Sequence, residues 1–278
     1  MYFISPSSSI SVFAPYVASI RLAFLKLLAY RFRYFTGIIT YLLFVSVHYF
    51  IWKAVYGDGD PDKVLNGFTF QEMVTYISVG WMARSLYFSD IDEEISSLVR
   101  TGQVSIYLLR PVQFHLIMLS EAFGGLLFRL TLFTLPISVV LIQMFPIQLP
   151  ASLLHGVLFL LSTAISFFVF AEINFLLGLV CFASKSIEGI MRAKYFFIQL
   201  FSGLLLPIAF FPDWLRGYIE IFPFKLIAAT PLEIYLGKRN GIELLWTMSE
   251  MLLWGGALYL LSELLWKVAF KRLSIQGG

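Results

Sequence analysis

Ser89-Asp90-Ile91-Asp92-Glu93-Glu94-Ile95-Ser96-Ser97-Leu98-Val99-Arg100-Thr101-Gly102 is a polar island in a chain that is otherwise almost continuously apolar. Ile91, Ile95, Leu98 and Val99 recur at i, i+4, i+7 and i+8, which places them on one face of an α-helix. Asp90, Asp92, Glu93 and Glu94 gather at the start, where unpaired amide N–H groups and the helix dipole favour negative charge. Gly102 supplies a left-handed stop. The island therefore reads as a short amphipathic surface helix between two membrane spans, and a compact charged helix held there has something in water to press against. We read it as a docking element.

Outward from the island, the composition fixes the class. Hydrophobic residues make up 59% and charged residues 13%, with a mean hydropathy of +0.82, whereas a soluble domain keeps about a quarter of its residues charged. The 278 residues read as one transmembrane domain, 1–278. The single cysteine, Cys181, excludes an internal disulfide framework and a Cys-based zinc site. A net charge of +3 is too small to point to nucleic acid. Residues 1–11 lack a basic n-region and a small-residue cleavage site, so they read as mature sequence.

A spanning helix needs about 20 mostly apolar residues. Six stretches qualify, near 34–54, 69–88, 117–143, 152–182, 195–211 and 243–268. The second carries Gln71, Glu72 and Arg84 and so packs largely against protein; the fourth is longer than a bilayer requires. Ahead of the first, residues 12–33 carry Arg21, Lys26, Arg31 and Arg33 on no common face, which suits an interfacial helix whose cations snorkel to lipid phosphates. Residues 212–236 are apolar but cut by Pro212, Pro223 and Pro231, so they read as a re-entrant outer hairpin with Trp214 and Tyr218 at the interface. Lys and Arg then divide twelve (Arg21, Lys26, Arg31, Arg33, Arg100, Arg110, Lys185, Arg192, Lys194, Lys267, Lys271, Arg272) against six (Lys53, Lys63, Arg216, Lys225, Lys238, Arg239), which places both termini and the region 89–113 in the cytoplasm. The turn-rich 57–62 segment falls outside.

Catalytic signatures are missing. No G-x-x-x-x-G-K-[ST] loop, H-E-x-x-H or G-x-S-x-G occurs, and His48, His115 and His155 are scattered, so each reads as a packed or interfacial residue with no metal or catalytic role. Ionisable residues within the spans carry more information, because charge in hydrocarbon needs a partner or a cavity. Arg84, Glu121, Arg129, Glu172, Glu250 and Glu263 are the candidates. Glu121 and Arg129 are separated by roughly 12 Å along one helix, so Arg129 is expected to meet Glu172 on the next span, either as a structural bridge or as part of a proton relay. Gly124-Gly125, Gly178, Gly203 and Gly255-Gly256 permit close helix approach within one copy or between copies.

This order of features resembles the permease subunit of bacterial ATP-binding-cassette exporters of the ABC-2 type. Gly102-Gln103-Val104-Ser105-Ile106-Tyr107-Leu108-Leu109-Arg110-Pro111-Val112 is similar to the family's G-x(6)-L-R-P-V loop, and Gly203-Leu204-Leu205-Leu206-Pro207 with Phe211-Pro212-Asp213-Trp214-Leu215 to its fifth-span end and outer hairpin. The resemblance covers essentially the whole chain. It implies an all-α membrane protein of six transmembrane helices in the bacterial cytoplasmic membrane, surrounded by lipid. A second permease, identical or a sister, and two cytoplasmic ATPase subunits would complete the assembly. ATP and magnesium would be held by those subunits, with no cofactor in this chain. The segment 90–110 is then the coupling helix region, with Asp90, Asp92, Glu93, Glu94, Leu98, Arg100, Gly102 and Arg110 as ATPase-docking residues and 184–192 as a second contact. An amphiphilic or hydrophobic substrate would move outward past the hairpin of Pro212, Trp214 and Pro223. Reversing charge at Asp92, Glu93 and Glu94 is expected to uncouple the ATPase. The alternative is an ion-coupled secondary transporter using Glu121, Arg129 and Glu172 as its relay.

Overall fold

The computed structural model describes residues 13–30, 32–57, 63–184 and 187–271, with only the backbone for 32–35. Expectations placed on residues 1–11, Arg31, the 58–62 turn, Lys185, Arg272 and the Arg33 side chain lie outside these. Among the described residues every regular element is helical, apart from one isolated bridge between Leu65 and Phe68.

Helix α1 (Ala14–Ala29) opens with Pro15 in its first turn and ends at Tyr30, and α2 (Phe32–Tyr56) starts as a separate helix. The expected 12–33 helix is thus shorter than its apolar run. Helix α3 (Phe70–Tyr87) is fixed at its start by a capping box, in which Thr69 Oγ1 accepts from Glu72 N–H at 3.2 Å and Thr69 N–H donates to Glu72 Oε2 at 2.8 Å. Its polar content suits its position: Met73, Tyr76, Ile77 and Trp81 are buried against Val45 and Trp52 of α2.

Beyond α4 (Ile91–Arg100) and α5 (Val104–Leu108), helix α6 (Phe114–Arg129) continues through a π-helical turn, Leu130–Thr134, into α7 (Leu135–Met144). Pro136 explains the turn, because its ring displaces the preceding carbonyl and it has no N–H for the ladder. α1 lies across α6 at Gly124, where an added Cβ would overlap the Ile20 carbonyl oxygen and come within 2.9 Å of Ala23 Cβ. The Gly124-Gly125 pair therefore serves contact inside one copy.

Helix α8 (Leu153–Leu179), capped by Ser152, runs on through a 3-10 turn to Phe182. Helix α9 (Glu188–Phe201) departs from the expected 195–211 span, starting earlier and stopping before Gly203. Gly203 sits at φ +82 with Ala229 Cβ only 2.7 Å from where its own Cβ would be, a position that excludes any side chain. The chain then passes through Ile208–Phe210 to α10 (Asp213–Ile221), a 3-10 turn Pro223–Leu226, and α11 (Ala229–Tyr235). Ser166 Oγ donates to Leu226 O in the middle of α8, and Ala151 N–H donates to Tyr235 O beside its start. Residues 223–235 thus climb one half of α8 before α12 (Gly241–Lys271) runs the full length of the bundle.

Among the described residues, four helical stretches are long and apolar enough to cross a membrane: Thr36–Tyr56, Phe114–Met144, Leu153–Phe182 and Gly241–Lys271. α3, with 18 residues, reaches about 27 Å and α9, with 14, about 21 Å at 1.5 Å per residue. One end of the bundle carries α4 and α5. The other is tied together by Lys238–Glu72 at 2.7 Å and Arg239–Glu233 at 2.8 Å.

Candidate functional site

α4 is built as the sequence pattern demands, with Asp92, Glu93 and Glu94 in the first turn and Gly102 at φ +74 just past its end. Ile91, Ile95 and Leu98 are buried with Phe175, Ala171 and Leu179 of α8. Gly178 makes the approach possible: a Cβ there would lie 2.7 Å from Ile95 Cδ1 and 3.3 Å from Asp92 Cα. The helix is fused to the bundle along this face.

A polar clamp holds its first turn. Lys194 Nζ on α9 donates to Asp92 Oδ2 at 2.6 Å and to Asn174 Oδ1 on α8 at 2.8 Å, and Asn174 Nδ2 donates to Ser89 O at 2.6 Å. Asp92 is 1% exposed and Lys194 12%. Two of the expected docking residues therefore need correction. Asp92 faces inward as the counter-ion of Lys194, and Leu98 is core; neither is presented to a partner. The sequence pattern missed Lys194 and Asn174. A helical wheel does show Asp92 one residue along from Ile91, at the edge of the apolar stripe, which was the available hint.

The outward side of α4 carries Asp90, Glu93, Glu94, Ser96, Ser97 and Arg100, which with Glu188 and Met191 of α9 line an open groove of about 370 Å³. Arg100 meets Glu188 at 3.5 Å and Lys26 of α1 meets Glu94 at 3.6 Å. These pairs are exposed, so each adds little to stability and leaves the acidic face open to exchange partners. The start of α9 and α4 thus meet at one surface. Past Gly102, α5 leaves Ile106 and Leu109 exposed. The Arg110 guanidinium lies over Tyr107 at 5.2 Å, and the Tyr107 hydroxyl donates to Glu121 Oε1 at 3.3 Å. Burial, reinforced by the Glu121 carboxylate, pushes that hydroxyl up to about 12, so it stays a donor throughout the physiological range.

The expected Arg129–Glu172 pair does not form. Arg129 Nε donates to Ser85 O at 2.9 Å and its Nη2 to Phe88 O at 2.5 Å, so the guanidinium covers carbonyls freed at the end of α3. Glu172 Oε2 meets His115 Nε2 at 3.1 Å, and His115 Nδ1 meets Glu263 Oε1 at 2.7 Å. Arg129 lies fourteen positions beyond His115 on α6, roughly 21 Å along the axis, which accounts for the separation. Glu121, Arg129 and Glu172 have three different sets of partners and form no contiguous relay. Reading His115 as a lone packed histidine missed its role; the signal was that α8 contains no Lys or Arg to pair with Glu172.

Arg84 is held in an aromatic cage. Its Nη1 donates to Tyr41 at 2.8 Å and its Nη2 to Tyr195 at 2.6 Å, with Trp81 and Phe88 beneath the cation. Within residues 212–236, Pro212 precedes α10, Trp214 is 70% exposed and Pro223 is buried at the head of the 3-10 turn. Lys225 pairs with Glu250 of α12 at 2.9 Å.

Long apolar helices with a firmly seated, outward-charged helix at one end define a multi-pass membrane protein. A family model described as ABC-2 family transporter protein matches residues 18–277, and the chain belongs to that family: it is an ABC-2-type permease. Members work with ATPase subunits. No curated protein matches the chain.

Proposed function

We propose that this chain is the membrane subunit of an exporter that moves an amphiphilic or hydrophobic substrate outward, driven by ATP hydrolysed on separate cytoplasmic subunits and not by this chain. The observation that carries the reading is the seat of α4. It is buried on one side against Gly178, clamped by Lys194, and carries an acidic groove on the other. A rigid element of this kind converts a push from a docked subunit into displacement of α8 and α9, the two helices that hold it. Asp90, Glu93, Glu94, Arg100 and Glu188 are the contacts, set against basic groups of the partner, and Gly102 and Arg110 shape the exit into α6.

On this reading α3 and α9 with its following turns add two crossings to the four long ones, α1 lies at the interface, 213–235 is re-entrant from the outside, and both termini are cytoplasmic in a bacterial inner membrane. A second permease, identical or a sister, completes the pathway, with lipid around the exposed Ile39, Leu43 and Val47 of α2 and Leu253, Leu260 and Leu264 of α12. ATP and magnesium belong to the ATPase subunits.

Because Asp92 is internal, the informative charge reversal is Glu93→Lys with Glu94→Lys. Co-purification of the ATPase and its stimulated turnover should both fall at least tenfold while the bundle remains folded. Survival of both would refute the docking role.

A further inference from the structure

His115 uses both ring nitrogens on carboxylates that come from two other helices, Glu172 on α8 and Glu263 on α12. From α8 the ring also stacks on Phe175 at 4.0 Å between centroids, and from α12 it stacks on Tyr259 at 5.2 Å. The titratable groups facing it are therefore Glu172, Glu263 and the Tyr259 phenol. Among the described residues neither carboxylate has an ion pair with Lys or Arg. His115 and Glu172 are 1% and 0% exposed, whereas Glu263 keeps 29%.

Protons have to close this balance. A ring nitrogen and a carboxylate oxygen at hydrogen-bond distance need one proton between them, since two facing lone pairs repel, so the trio holds at least two. With two, it carries a net charge of −1, whether written as imidazolium between two carboxylates or as a neutral ring beside one neutral carboxyl. One more proton makes it neutral. Glu172 Oε1, buried and without a hydrogen-bond partner, offers a place for it, and Glu263 is the member that keeps accessible surface.

We propose that His115, Glu172 and Glu263 form a proton-binding site at the root of α6. Starting from an imidazolium between two carboxylates, a proton from water adds to the Glu263 carboxylate and the ring releases its Nε2 proton to Glu172, which leaves a neutral ring, protonated at Nδ1, between two neutral carboxyls. The sum is one proton gained, charge −1 to 0, with no electron moved. The site lies directly behind the docking region: Phe114, its neighbour in sequence, stacks on Trp266 at 4.8 Å and packs in one cluster with Ile91, Leu98 and Val104. Neutralising a carboxyl exchanges a charge-assisted bond for a weaker neutral one, so the seating of α12 on α6 follows the proton concentration on the α4 side.

The full chain, in lipid nanodiscs and carrying ¹⁵N-histidine, tests this by ring-nitrogen NMR and difference infrared spectroscopy between about pH 8 and about pH 5. With His115→Asn assigning the resonances, we expect a His115 titration accompanied by a new carboxyl band. That band should be lost in Glu172→Gln, and the midpoint should shift by at least a factor of ten in proton concentration in Glu263→Gln. If Glu172→Gln does not fold, the Glu263→Gln shift alone decides. A His115 ring that is invariant across the range, or a carboxyl band indifferent to both glutamates, would overturn the proposal. Neither readout requires an ATPase, so a negative result leaves the permease reading intact.

Discussion

Replacing Lys194 with methionine removes the cation while keeping most of the aliphatic stem. Asp92, 1% exposed, then loses the 2.6 Å contact that balances its charge, and Asn174 Oδ1 loses a donor at 2.8 Å. Removing one partner of a buried pair costs about 3–5 kcal/mol, because the remaining charge stays desolvated. Replacing both, Asp92→Leu with Lys194→Met, removes the stranded charge, and buried pairs exchanged for apolar groups are close to neutral in stability. The double-mutant cycle should therefore show a coupling of at least about 3 kcal/mol, far above the 0.2–1 kcal/mol of an exposed pair. Unfolding of the purified chain by graded SDS in mixed micelles, followed by tryptophan fluorescence, reads these values. Single replacements that each cost under about 1 kcal/mol would refute the claim that α4 is clamped to α9.

Other positions give independent outcomes. Gly178→Val forces α4 off α8 at Ile95, so ATPase stimulation should drop and stability should fall by about 1–3 kcal/mol, as for other overpacked sites; both are measurable on one preparation. Gly124→Val drives a side chain into the Ile20 carbonyl, and a cysteine placed on α1 at Ala23 should change from protected to rapidly alkylated. Arg129→Met leaves the Ser85 and Phe88 carbonyls without these donors, and the unfolding free energy should fall by about 1.5–3 kcal/mol, the range for hydrogen bonds from a charged group.

The architecture was legible where a single helix carried its own signal. Composition and run length mark the four long apolar stretches, and the stripe of Ile91, Ile95 and Leu98 with the stop at Gly102 marks α4 before any tertiary contact is known. α9 was misplaced because apolarity continues past Phe201 through Leu204, Leu205 and Leu206, while the backbone break depends on one glycine in a left-handed conformation. Partner identity was legible only in part. Periodicity gives the direction of a side chain on its own helix, not the rotation and depth of the helix opposite, so Glu172 could be assigned to Arg129 when its partner is His115. Asp92 shows the same limit, since a carboxylate beside an apolar stripe looks exposed until Lys194 arrives from a hundred residues further on.

The central claim is that the groove between α4 and the start of α9 seats an ATP-hydrolysing partner. Photo-crosslinking side chains placed at Glu93 and Glu188, activated in intact membranes, test it most directly. Both positions should yield covalent adducts with the same cytoplasmic ATPase subunit, and a probe at Leu98 should yield adducts within the chain. Absence of that subunit from the Glu93 and Glu188 adducts, or labelling of those positions by a membrane-impermeant reagent added outside the cell, would contradict the account.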